Sequence, residues 1–295
     1  MGTQLTLLWK LRPLVVTLSF FVHSRGFKQD TVKIFHRFFP VASKSLLATL
    51  EQHGIAYETF IDDRVCFDIP EGHPAWDAIV PFLKDAEPEG IPRTVFTKKE
   101  LAAARFLRLE PSWHHGYPQP EDDYRRATYD LSECCEACGM GYTQNAPFRM
   151  KSEPKWGSKQ VLQLNWVFDE FFSTPEAYRT VFQPLGIDSL PVIHHKTGRP
   201  LESVVQLKIS TWTTTPIRGQ KLNWETCAVC HRKKLTGDQS GMFPHVTLPA
   251  GSHLGWTREY IGSGLVAWHA VIISAALYRS LTEYGVKGVS FTVVE

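Results

Sequence analysis

The sequence predicts an α+β fold with mixed or antiparallel sheets and packed helices. Three observations predict it. Short apolar segments alternate with period two; capped amphipathic helices stand between them; and the closing stretch reads strand, helix, strand. Of 295 residues, 43% are hydrophobic and 12% aromatic, enough to bury one large core or two smaller ones without disulfide staples. Thirty-two basic residues against 30 acidic ones give a net charge of +2, which sets up no strong field for nucleic acid, a membrane surface or acidic substrates.

The first apolar run, "PLVVTLSFFV", follows Lys10 and Arg12 much as a signal peptide's apolar region follows its basic one. No small-residue cleavage site comes after it. Leu14, Val16, Leu18, Phe20 and Val22 alternate with Val15, Thr17, Ser19 and Phe21, which predicts a buried strand. The run is also far short of the ~20 apolar residues a membrane-spanning helix needs.

Next, "SKSLLATLEQHG" places Leu46, Leu47 and Leu50 on one helix face and ends at Gly54, a residue suited to a left-handed C-terminal cap. Two strands around an Asp-Asp turn are expected over "IAYETFIDDRVCFDIP", with Cys66 as a buried thiol. Pro74 suits the first position of a helix through "HPAWDAIVPFLKD". Thr97 and Glu100 form a capping box, and Ala102, Phe106 and Leu109 continue the i, i+4, i+7 spacing, so that helix is expected to run through Leu109.

Residues 110 to 133 turn rich in Pro, Gly and charge, and the expected domain division falls near residue 130: an N-terminal α+β region over 1–130 and a second α+β domain over 131–295. Beyond it, Leu162, Leu164, Trp166 and Phe168 alternate with Val161, Gln163, Asn165 and Val167 as in a strand. Thr174 reads as an N-cap with Pro175 at the first helical position. Val205, Leu207 and Ile209 mark another strand. The end of the chain offers the strand "AWHAVII", a helix opened by Ser274 and closed near Gly285, and a strand in which Val289, Phe291 and Val293 alternate.

Four of the six cysteines fall into two Cys-x-x-C pairs, Cys135 with Cys138 and Cys227 with Cys230. In a tight turn, two thiolates at this spacing both reach one zinc ion at about 2.3 Å, and a second such turn completes the tetrahedron. The expectation is a structural, zinc-ribbon-like four-cysteine Zn2+ site that carries an inserted strand-helix lobe between its halves. Cys134 could replace Cys135 through a Cys-x-x-x-C spacing, and His231, next to Cys230, could replace a sulfur. Four free thiols or a redox pair form the competing reading.

Other residue types that carry chemistry have simpler accounts. His114 and His115 precede the acidic run Glu121, Asp122 and Asp123, a combination able to bind a divalent ion or to transfer protons, but adjacent histidines in an extended chain point to opposite sides. His194 and His195 lead into "KTG", which reads as a hairpin turn. Asp169 and Glu170 stand before a capped helix, where exposure and the helix dipole suit carboxylates. No nucleophile elbow, phosphate-cradling loop or dinucleotide fingerprint is present. The loop after the first cysteine pair carries Phe148, Arg149 and Trp156, a combination suited to a partner-binding surface.

"CEACG", "CAVC", "FFSTPEAYRTVFQPLGI" between them and "VIISAALYRSLTEYGVKGVSFTVV" at the end resemble the bacterial double-CxxCG motif proteins, over about Leu131 to Glu295. Two departures stand out: His231 occupies the place of the second glycine, and the 130 residues before the motif are longer than the family's. The resemblance implies a cytoplasmic zinc-binding protein with a non-enzymatic role, since such proteins include immunity proteins that bind and neutralise polymorphic toxins. A protein partner is therefore expected, with no membrane; a metal-dependent hydrolase or nuclease built on the histidine-acid run is the alternative, and nucleic-acid binding through the zinc lobe is a third reading that the near-neutral charge disfavours.

Overall fold

A computed structural model describes residues 33–59, 63–83, 90–220, 222–237 and 240–295. All of them belong to the unit Val32–Glu295. The strand expected over Leu14–Val22 lies outside the described residues. The fold is α+β, as the sequence predicts.

The first sheet contains β1 (Lys33–Phe38), β2 (Tyr57–Thr59), β3 (Val65–Pro70) and β4 (Ile91–Val95), in the order β2-β3-β1-β4 with every pairing antiparallel. Helices α1 (Lys44–Gln52) and α2 (Trp76–Ile79) contribute to its core. Ser43 caps α1 by accepting from the Leu46 amide, and Leu46 and Leu50 are fully buried. The second helix begins later than Pro74 suggests and tightens into a 3-10 turn, Val80–Leu83. Pro81 explains the tightening, because it has no N–H to donate and its ring crowds the preceding turn.

Thr97 and Glu100 make the expected reciprocal cap on α3 (Lys98–Ala103). The helix then stops, and Phe106–Pro111 is a strand, β5. The i, i+4, i+7 spacing misled here because Leu107 and Leu109 also alternate with Phe106, Arg108 and Glu110, and both patterns fit so short a stretch. Long-range pairing decides between them: β5 is hydrogen-bonded on both sides.

After α4 (Tyr124–Thr128), β6 (Tyr129–Asp130) pairs antiparallel with β7 (Thr143–Gln144). The lobe that follows is larger than one strand and one helix. It is a five-stranded sheet of β8 (Arg149–Met150), β9 (Val161–Leu162), β10 (Phe172–Ser173), β11 (Ser189–His194) and β12 (Pro200–Leu207), in the order β8-β11-β12-β10-β9. The strand expected through Phe168 ends at Leu162. Val161 to Leu164 are all buried, so no alternation of environment sustains it, and Trp166 turns the chain with φ +67°. Thr174 caps α5 (Pro175–Ala177) as expected, and the helical path continues to Leu185 before Gly186 ends it in the left-handed region.

The third sheet is made of β13 (Asn223–Thr226), β14 (Lys233–Thr236), β15 (Leu254–Ile261), β16 (Trp268–Ser274), β17 (Val289–Val293) and β5, in the order β13-β14-β15-β16-β5-β17. Helix α6 (Ala275–Glu283), capped by Ser274, links β16 to β17. Both strands run antiparallel to β5, so they are parallel to each other with β5 between them, a split β-α-β unit. This sheet therefore extends across the expected division near residue 130. Its core joins Leu107, Val271, Ile273 and Leu281 to Phe182 and Leu207 of the lobe. Among the described residues no helix is long and apolar enough to cross a membrane.

Candidate metal centre

The two Cys-x-x-C pairs occupy equivalent positions in two hairpins. Cys135 and Cys138 lie in the loop between β6 and β7, and Cys227 and Cys230 in the loop between β13 and β14. Their backbone bonding repeats. The Cys135 amide donates to the Met140 carbonyl at 2.8 Å and the Gly139 amide to the Cys135 carbonyl at 2.7 Å; the Cys227 amide donates to Arg232 at 3.0 Å and the His231 amide to Cys227 at 3.0 Å. The turn needs a left-handed residue after its second cysteine, and Gly139 supplies φ +73°. His231 holds the same place with φ +58°. In the first hairpin a side chain is also excluded by space, because a Cβ on Gly139 would collide with the Leu265 carbonyl.

Sγ of Cys135 lies 3.8 Å from Sγ of Cys227, Sγ of Cys138 lies 3.6 Å from Sγ of Cys230, and all four sulfurs fall within 4.8 Å of one another. A zinc tetrahedron with bonds of ~2.3 Å has sulfur-sulfur edges of about 3.8 Å, so the cluster has the size that ion requires. Three of the cysteines are buried and Cys230 is partly so. Backbone amides of Cys230 and Val229 directed at Cys227 lower its thiol to about 6, whereas burial pushes Cys138 up to about 12. The cluster thus contains one sulfur ready to ionise and one that needs a cation beside it. Cys134 and His231 are not members of this cluster: Cys134 is half-buried and His231 exposed.

Contacts between side chains and backbone fasten the hairpins to each other and to the body. Arg232 donates to the carbonyls of Glu133 at 2.8 Å and Met140 at 3.0 Å, and its guanidinium lies 3.7 Å from the Glu133 carboxylate. The Gly141 amide donates to the Tyr260 hydroxyl at 3.1 Å, and the Tyr142 hydroxyl donates to the Ala267 carbonyl at 2.8 Å. Lys234 is fully buried, its ammonium donating to the Gly264 carbonyl at 2.5 Å and lying 3.8 Å from Glu225. It ties the second hairpin to the loop whose Leu265 covers the first. No motif marks Arg232 or Lys234 in the sequence.

Asp169 and Glu170 overturn the expectation of exposure, being 5% and 3% exposed. One Asp169 oxygen accepts from the Tyr142 hydroxyl at 3.2 Å and the His269 amide at 3.3 Å, and Glu170 accepts from Gln206 at 2.9 Å. The indole of Trp256 donates to the Asp169 carbonyl at 2.9 Å. Burial raises Asp169 to about 6 and Glu170 well above the carboxylate range, and lowers His269 to about 4. The pair is a polar knot joining the lobe, the third sheet and the chain just after the first cysteine hairpin. Packing between segments distant in sequence buried these acids, so local pattern could not reveal it.

The remaining candidates separate. His115 and Glu121 line a cleft of about 260 Å³ together with Tyr117 and Lys151, whereas His114 forms a parallel β-bridge with Gln163, and Asp122 and Asp123 are not among the lining residues. Burial lowers both histidines. His194 and His195 begin the hairpin turn between β11 and β12, where Nδ1 of His194 accepts from the Thr197 amide at 3.2 Å. Phe148, expected at a contact surface, is fully buried against Tyr129 and Phe172 because β8 is part of the lobe sheet. Its neighbours are half-buried and engaged inward: Arg149 donates to the Ala127 carbonyl at 2.9 Å and Trp156 to the Ser203 carbonyl at 3.0 Å.

The chain thus presents four clustered cysteines in two Cys-x-x-C pairs, an arrangement fit for one structural metal ion, zinc by its donor set. No family model matches the chain, and no curated protein matches it.

Proposed function

We propose that this chain is a non-enzymatic zinc-binding protein of the cytoplasm that acts by binding another protein, as an immunity protein covers a cognate toxin. The observation that carries the reading is the closed donor set. Four sulfurs at tetrahedral spacing would fill the ion's coordination and leave no position for water or substrate, so zinc would act as a cross-link. The protein supplies the rest: backbone amides that ionise Cys227, and an arginine that holds one hairpin to the other. The likeness of both cysteine motifs and of the closing helix and strand to double-CxxCG proteins supports the immunity role.

A metal-dependent hydrolase is the second reading, favoured by the shared cleft of His115 and Glu121. The β-bridge between His114 and Gln163 counts against it, because it ties the second histidine's backbone into the fold. The deciding experiment is to cross-link the untagged protein in extract of its own source, identify the partner by mass spectrometry, and express that partner alone and with this chain. Growth arrest relieved by the chain supports the proposal. A harmless partner, or hydrolysis of a phosphoester or peptide that His115→Ala abolishes, overturns it.

A further inference from the structure

Trp166 is 46% exposed and holds a left-handed backbone, φ +67°, which side-chain-bearing residues avoid. Two bonds keep it there: the Tyr124 hydroxyl donates to its carbonyl at 3.2 Å, and the Asn165 amide donates to the Gly116 carbonyl at 2.9 Å. Glycine would adopt this conformation without strain, so the turn itself does not call for an indole. The ring packs on Tyr117 with centroids 4.4 Å apart, and nearly half of the residue remains open to solvent. Phe168 and Val266, also exposed, line one hollow with Trp166 and Arg125, and Leu265 next to Val266 is 60% exposed. The result is an apolar strip reaching from Tyr117 to the loop that covers the first cysteine hairpin.

Its borders are acidic. Between residues 121 and 136 the chain carries Glu121, Asp122, Asp123, Asp130, Glu133 and Glu136, all exposed, against Arg125 and Arg126, although the whole protein has a net charge of +2. Glu121 shares its cleft with Tyr117; Tyr124, next to Asp123, stacks on Trp166; and Glu136 belongs to the hairpin that Leu265 covers. Lys151 on the cleft wall and Arg232, 3.7 Å from the Glu133 carboxylate, offset part of this charge and leave the acids in excess.

We propose that this strip is the docking surface for a partner protein with a basic face, an apolar side chain of the partner covering Trp166 while its arginines or lysines meet the acidic border. The proposal rests on the protein-binding reading above and gives it a place on the molecule. A half-exposed tryptophan flanked by tyrosine is the kind of residue that dominates interfaces, and its ring also attracts an arginine or lysine head. Opposite charge on the two faces speeds encounter and sets orientation. The same acidic border repels a nucleic acid backbone.

The test places a photo-cross-linking benzoylphenylalanine at Trp166 of the full chain, or at exposed Val41 as a control, in cells of its own source. The expected result is one adduct at position 166 and none at 41, with a partner of isoelectric point above about 9. The purified partner is expected to bind at least ~10-fold more weakly to Trp166→Gly and to Glu121→Lys/Asp122→Lys, and more weakly in raised salt. Trp166→Gly is expected to melt no lower than the parent. An acidic partner, unchanged affinity for Trp166→Gly, or a large fall in its melting temperature would each overturn the proposal. A partner captured only at position 41 would overturn this surface and leave the protein-binding reading standing, whereas capture at neither position would sink both.

Discussion

Replacing Asp169 with Asn tests whether the buried carboxylate pair opposes folding at neutral pH. Burial raises Asp169 from 3.8 to about 6. A carboxylate raised on folding binds its proton more tightly in the native state, so its contribution to stability falls as pH rises between the two values. Each tenfold change in proton affinity is equivalent to about 1.4 kcal/mol, so the cost grows from about 2 kcal/mol at pH 5 to about 3 kcal/mol at pH 7, and is constant above that. Asn keeps an oxygen that can accept from Tyr142 and His269, so loss of the charge is the main change. Urea unfolding of both proteins from pH 5 to 8, at fixed zinc concentration, gives the difference in stability. Zinc release at low pH affects both chains alike and cancels. Relative to the parent, Asp169→Asn is expected to gain about 1 kcal/mol between pH 5 and pH 7. A difference that does not change with pH, or one that favours the parent as pH rises, would refute the reasoning.

Four further outcomes follow from the cysteine hairpins. Protein purified without a metal-affinity tag is expected to carry one zinc per chain by elemental mass spectrometry. Cys135→Ala and Cys227→Ala are expected to lose both the metal and several kcal/mol of stability, because zinc binding is folding energy for the segments it joins. His231→Gly is expected to raise stability by about 1 kcal/mol in denaturant unfolding, since glycine takes the left-handed position that histidine occupies under strain, with zinc content unchanged. Gly139→Ala is expected to destabilise the protein and weaken zinc retention in chelator competition, because the added carbon meets the Leu265 carbonyl in addition to the strained φ.

Features that depend on a few neighbouring residues were legible before the fold was known. The caps at Thr97, Thr174 and Ser274 form as the local chemistry dictates, because each is a side chain reaching an amide three residues away; Ser43 caps its helix in the same way, although its role was not read from the sequence. The cysteine spacing likewise announced its turns, and the closing strand, helix and strand formed where their periods predicted. Errors arose where a pattern fitted two answers. Ala102, Phe106 and Leu109 satisfied a helix while Leu107 and Leu109 satisfied a strand, and only the hydrogen bonds of β16 and β17 chose between them.

By itself, then, the sequence determined the α+β class, the capped helix starts and the two paired-cysteine turns, because short-range hydrogen bonding and side-chain periodicity suffice for these. The tertiary structure alone decided that four sulfurs from hairpins 92 positions apart share one small volume, that Arg232 and Lys234 fasten those hairpins, and that Asp169 and Glu170 are buried. It also moved Phe148 into the core and left Trp166 outside it. Burial and long-range contact depend on which segments meet, and that is a property of the folded chain rather than of any stretch of residues within it.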